Sequence, residues 1–265
     1  FFGDSDVTKI NESHVERYIN WRSETVSEGT LRRELGALSA AFNHAIKKQK
    51  WRIENPCLKA EIPKEPKGRV RYLARPEAKR LLQAAELPYL ADFIELALNT
   101  GCRKGELLKL KWENIDFSTR LIYLDQTKSG EWQTVPINEE ARQVLVRRMR
   151  LREQICPNSR WVFFHMVPAL NSKVGDRVKN IRRSFKSACN RAGIENFRIH
   201  DLRHTFASWL VMEGVPLFEV SKLLRHASIQ MTERYAHLAP DHLHDAVASI
   251  KFSAHFQHTT NLEQK

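Results

Sequence analysis

Residues 61–71 read E-I-P-K-E-P-K-G-R-V-R, with two prolines, a glycine, alternating charge and no apolar periodicity. Neither a helix nor a central strand runs through such a stretch, because proline lacks a backbone donor and pushes the residue before it out of the helical region. The apolar residues on either side must therefore be buried in two separate cores, joined by a linker over 63–71.

In the smaller piece, 1–62, Asn11 is placed to cap a helix with Val15, Tyr18 and Ile19 on one face. A second helix carries Leu31, Leu35, Leu38, Phe42, Ala45 and Ile46 at helical spacing and stops before Asn55-Pro56. Two helices bury little surface by themselves. The chain also opens Phe1-Phe2-Gly3 instead of Met, so further helices of this domain are expected upstream.

The larger piece begins with helical patterns at Arg75-Pro76-Glu77, from Tyr89 to Gly101, and from Lys104 to Lys111. Short β-leaning runs follow at Ile115-Asp116, Arg120–Leu124 and Gln133–Ile137, which predict a small antiparallel sheet with Lys128 in a hairpin turn. Helical spacing resumes from Glu139 to Glu153. It returns where Val174, Val178, Ile181, Phe185 and Ala188 share a face that Gly193 closes. The opposite face of that expected helix carries Arg177, Lys179, Arg182, Arg183 and Lys186, read either as a solvated face or as a phosphate grip. Further helices are expected over Leu202–Glu213 and Pro216–Leu224. The class is mainly α with a small sheet (α+β).

Charge narrows the partners. The chain carries 43 Lys+Arg against 31 Asp+Glu, a net +12, and the first 67 residues account for only +2 of it. Such an excess favours a polyanion, because Lys and Arg displace its condensed counterions. No run of eighteen apolar residues and no signal-peptide pattern occurs, so a cytoplasmic protein without a membrane partner is expected. Cys57, Cys102, Cys156 and Cys189 form no C-x-x-C pair and read as reduced thiols. No metal site or cofactor is expected; His242-x-His244 in the tail reads as an exposed polar pair.

Four separated segments concentrate unusual polar residues: T-G-C-R-K-G-E around Arg103, Q-T-K-S-G around Lys128, I-H-D-L-R-H over 199–204, and L-L-R-H followed by Tyr235. Each alone has an ordinary reading, such as Arg103 pairing with Glu106 or Lys128 solvated in its turn. In this order, and framed by L-K-L-K-W-E-N-I-D, V-P-I and E-R-Y-A-H, they resemble the tyrosine recombinase (phage integrase) family from about Val70 to Leu238. Residues 11–60, closing on E-N-P, resemble its helical core-binding domain.

The resemblance implies a core-binding domain over 1–62, a catalytic domain with the DNA breaking-rejoining fold over 72–238, and a C-terminal helix and tail over 239–265. It implies cleavage and rejoining of DNA through a 3′-phosphotyrosyl link, without metal or ATP. Arg103 and Arg203 would hold the nonbridging oxygens, Tyr235 would attack, and Lys128 would protonate the leaving 5′-oxygen. His200 would assist proton movement at the tyrosine, His226 would hydrogen-bond the phosphate, and Glu106 would orient the frame. Forked, permanently charged guanidiniums suit a phosphate whose charge grows in the transition state.

Two departures stand out. Arg225 precedes His226 where the family usually has glycine, so either the turn differs or Arg225 tolerates a left-handed backbone and reaches a phosphate. His204 falls at a variable position and is read as packing. Ala246, Val247 and Ile250 mark a C-terminal helix that docks either on a neighbouring protomer or on its own domain. The implied partners are duplex DNA with core-type attachment sites, three further copies of the chain, and DNA-bending or directionality factors at a bacterial nucleoid. Three alternatives stay open: Xer-like dimer resolution, type IB topoisomerase-like relaxation, and a catalytically silent DNA-binding protein.

Overall fold

The computed structural model describes residues 1–63, 69–126, 132–168, 171–240 and 247–248. The chain divides into two compact units, Phe1–Arg69 and Val70–Lys265.

In the first unit, α1 (Glu12–Ser23) starts at Asn11, whose side chain accepts from the His14 amide at 3.2 Å. It packs on α2 (Glu28–Lys48) through Val15, Leu31 and Leu35, with Cys57 and Ala60 closing the cluster. Tyr18 and Arg22 of α1 both donate to Glu34 of α2, at 2.7 and 2.8 Å. The Asn-Pro break has a second purpose: the Asn55 amide donates to the Ser39 carbonyl and to Asn43, each at 3.1 Å, while its oxygen accepts from the Cys57 amide. One buried side chain thus ties the segment after the helix back onto α2.

The second unit is mainly helical with one small sheet. Its elements are α3 (Arg75–Gln83), α4 (Pro88–Thr100), α5 (Lys104–Leu108), β1 (Ile115–Asp116), β2 (Leu121–Gln126), β3 (Trp132–Pro136) and α6 (Glu139–Ile155). After them come α7 (Arg182–Arg191), α8 (Asp201–Met212), α9 (Leu217–Leu224) and the single turn α10 (Gln230–Glu233). Eight residues of α4 are buried, so this helix is the centre, packed between α6 and α8. Arg148 of α6 is fully buried beside Asp92 of α4, its guanidinium lying over the rings of Phe163 and Phe164. The strands pair antiparallel in the order β1-β2-β3, with the buried pair Ile122 and Val135 directly opposite.

One expected element differs. The helix anticipated from Val174 starts only at Arg182. Before it, the chain forms an irregular antiparallel ribbon in which His165 donates to Asp176 at 2.8 Å and Val178 donates to Phe163 at 3.0 Å. Gly175 sets the turn with φ +88°, and a Cβ there would lie 2.4 Å from the Cys156 sulfur. The backbone donors that a helix would need are thus spent on the neighbouring segment, although Val178 and Ile181 are buried as their spacing suggested. Arg177 and Lys179 consequently do not share a helix face with Arg182, Arg183 and Lys186.

The linker residues 64–68, the Lys128 turn (127–131), His242 and His244, and all of the expected C-terminal helix except Val247 and Ala248 lie outside the described residues.

Candidate active site

Gly101 ends α4 with a left-handed φ of +60°, and a Cβ there would sit 2.4 Å from the Phe206 ring. Only glycine meets both conditions without strain. The turn that follows delivers Arg103 to the first position before α5. Glu106 folds back over the helix start and accepts from the Arg103 amide and from its guanidinium, both at 2.7 Å, so its carboxylate takes up the free amide of the residue that precedes the helix. The Arg103 side chain stays 43% exposed, so part of its fork faces outward.

Arg203, on α8, is buried and donates to two carbonyls at the ends of other helices, Gly101 after α4 at 2.6 Å and Leu224 of α9. Burial, then the charges of Arg103 and Arg225, bring its pKa down to about 10, so it remains a cation at neutral pH.

Arg225 does adopt the left-handed conformation, φ 56° and ψ 45°. Its guanidinium does not point to solvent: only 5% of the side chain is exposed, and it donates to Glu106 at 2.7 Å. The phosphate contact expected of it is replaced by an internal one. Burial works against the Glu106 charge, but Arg225 and then Arg103 hold its carboxyl below the ordinary range. Arg225, Glu106 and Arg103 form one cation–anion–cation series.

His226 follows directly and pairs through Nδ1 with Thr232 at 2.8 Å. Burial, then Arg203 and Arg103, hold it at about 4, so the ring is neutral at pH 7. Tyr235 is 2% exposed, and its hydroxyl lies 2.5 Å from Nδ1 of His204. Burial pushes the phenol up to about 12; burial, then His200, brings the His204 ring down to about 4. His200 precedes the first residue of α8, exposed, with its ring edge-on to His204 at 5.0 Å. Partial burial and Arg203 lower its pKa as well.

His204, read from sequence as packing, is therefore the tyrosine's direct neighbour, and His200 stands behind it. The signal was present in the four-residue spacing of His200 and His204, which puts both on one helix face. Arg234 was missed entirely; this exposed cation depresses His200, His204 and His226 and draws the Tyr235 pKa down against burial.

Of the proposed grip residues, Arg182, Arg183 and Lys186 are exposed on α7 and Lys179 is exposed just before it. Arg177 instead lies 5.2 Å over the Trp161 ring. A cavity of about 960 Å³ runs between α7 and the start of α8, lined by Lys104, Arg182, Lys186, Arg198 and His200. Basic side chains thus lead up to the histidine.

Residues 71–242 match the model of the phage integrase family, a span that holds every site residue named above. The chain belongs to the phage integrase family. It is 34% identical to the integrase of Salmonella phage P22 over 76% of this chain and 52% of that protein. It is 32% identical to the integrase of Haemophilus phage HP1 over 83% of this chain and 59% of that one. The chain therefore spans about half the length of the curated relatives it matches. The fold is also that of the Tn1549 transposon integrase bound to circular intermediate DNA, with a TM-score of 0.74 at 20% identity over 93% of this chain and 87% of that one.

Proposed function

We propose that this chain is the DNA-cleaving and DNA-joining part of a site-specific recombinase that integrates or excises a phage or mobile element. One observation carries the reading. Tyr235 sits on His204; the residue before it, Arg203, holds the carbonyl of Gly101, and two residues beyond Gly101 stands Arg103. Two hydrogen bonds, one spanning 102 residues and the other 31, thus tie together three segments that carry two guanidiniums and a phenol.

The chemistry follows from these groups. Arg103 and Arg203 neutralise a phosphodiester as charge accumulates on its nonbridging oxygens. The Tyr235 oxygen attacks phosphorus and loses its proton; the bond to the 5′-oxygen breaks, and that oxygen takes up a proton. Lys128 is the proposed donor of that proton. The neutral ring of His226 donates to the phosphate, and His200 assists proton transfer at the phenol. An aryl phosphodiester keeps the energy of the broken bond, so a 5′-hydroxyl from a second strand can displace tyrosine and reseal the DNA. Duplex DNA with core-type sites is the partner, gripped by Arg182, Arg183, Lys186 and Lys179, with four protomers acting on two duplexes. Similarity to integrases of phages P22 and HP1 supports this reading.

The test is a pool of nicked duplexes of randomised core sequence, from which SDS-resistant protein–DNA adducts are recovered. The adduct should form in EDTA and vanish in Tyr235→Phe. An adduct that persists in that variant, or one that requires a divalent metal, overturns the proposal. Joining of two separate duplexes by the recovered site distinguishes a recombinase from a relaxing topoisomerase.

A further inference from the structure

Tyr235 is withdrawn from solvent. Its ring lies in a cluster with Ala207, Val211, Val220 and Leu224, drawn from α8 and α9, and 2% of the residue is exposed. Only the hydroxyl needs a polar partner there, and His204 supplies it at 2.5 Å from within the same wall. His204 is itself buried, one residue after Arg203 and one helical turn after exposed His200.

We propose that His204 is a positioning residue: it accepts the Tyr235 hydroxyl hydrogen, holds the phenol in this apolar pocket in the DNA-free protein, and releases it when a phosphate occupies the site. The inference rests on the reading of Tyr235 as the nucleophile. Phenol and imidazole are both neutral at pH 7, and a buried hydroxyl left without an acceptor is costly, so the O–H is assigned as donor to a bare Nδ1 and the ring proton to Nε2. A neutral hydrogen bond of this kind shifts the stored-to-released equilibrium about fivefold. That is enough to keep the phenol withdrawn, and small enough for contacts with DNA to overcome. The segment carrying Tyr235 is short: α10 is a single turn, anchored by the buried Thr232 and its bond to His226, and release of the phenol would have to loosen these contacts as well as the bond to His204.

The experiment uses the full chain without DNA. Tyrosines are nitrated with tetranitromethane and each site is quantified by mass spectrometry, with Tyr72 and Tyr89 as internal standards. His204→Leu removes the acceptor and should raise nitration of Tyr235 about fivefold relative to the standards. His204→Asn, whose amide oxygen falls near the Nδ1 position, should restore wild-type protection, which a purely space-filling role would not predict. Equal nitration of Tyr235 in wild type and the Leu variant, or an Asn variant as reactive as Leu, overturns the proposal. Should the Leu variant fail to fold by circular dichroism, His204→Gln takes its place, because its longer arm misplaces the acceptor. The two layers fail separately: an adduct persisting in Tyr235→Phe refutes the nucleophile, whereas unchanged nitration with the adduct lost in Tyr235→Phe refutes the storage role alone.

Discussion

Replacing Arg225 by glycine restores the residue usual at this turn, and the structure predicts that it will weaken the protein. Two effects oppose each other. A non-glycine residue at φ 56° is strained by about 1–2 kcal/mol. Glycine relieves that but gives back about 0.4–1 kcal/mol through the greater freedom of the unfolded chain. The backbone gain is thus at most about 1.6 kcal/mol. Against it stands the Arg225–Glu106 pair, 2.7 Å apart with side chains 5% and 19% exposed. Removing one partner of a buried pair costs about 3–5 kcal/mol when the other is left uncompensated. Glu106 keeps two bonds from Arg103, which places the loss at the low end of that range. The net expectation is a destabilisation of about 2 kcal/mol, or a fall of about 4–8 °C in Tm for a domain of this size. Thermal and urea unfolding measure it. The cycle with Glu106→Gln should be non-additive, with Arg225→Gly costing much less once the carboxylate is gone. A glycine variant as stable as the parent, or an additive cycle, refutes the reasoning.

Other outcomes can be checked alongside it. Gly101→Ala meets both a left-handed backbone and the Phe206 ring, so it should lower stability by about 2 kcal/mol or more in urea melts. Charge reversal is not needed to probe the grip: neutralising Arg182, Arg183 and Lys186 together should weaken binding to all duplexes alike and flatten the log–log salt dependence by up to about 3 units, as filter binding would show. Acid should unfold the domain early. Unfolded histidine titrates near 6.5, while folded His204 and His226 titrate at about 4. The unfolded chain therefore binds protons first, and the stability gained by keeping these rings neutral is intact above about pH 6.5 and lost as pH falls toward 4. A flat stability profile between pH 7 and 4.5 would contradict this.

The parts legible in sequence were those set by local rules. Asn11, Pro76 and Gly101 marked helix ends because capping and φ restrictions act within a few residues. Alternating β-leaning residues marked the sheet for the same reason. The segment 174–181 misled because Val178 and Ile181 are buried through pairing with Phe163 and its neighbours, a long-range contact that mimics helical spacing. At the site, residue types and order pointed to Arg103, Arg203, His226 and Tyr235, but not to which histidine meets the phenol. That depends on the packing of α10 against α9 and of the turn Ala236–Leu238 against α8, which a linear spacing of 31 residues between His204 and Tyr235 does not encode.

The contacts of Arg203 have a consequence for how such chains are read. Its guanidinium fastens the last carbonyls of two helices to a third, so it holds the domain's architecture whether or not any DNA is cut. A descendant that had lost catalysis would still be obliged to keep it, and a variant lacking it would be inert for want of a folded scaffold as much as for want of a charge. Arg203 is thus a poor witness to activity. Arg103, nearly half exposed and bound only to its own helix turn, is the better one: no hydrogen bond found among the described residues uses its outward-facing donors, which leaves them free for a ligand.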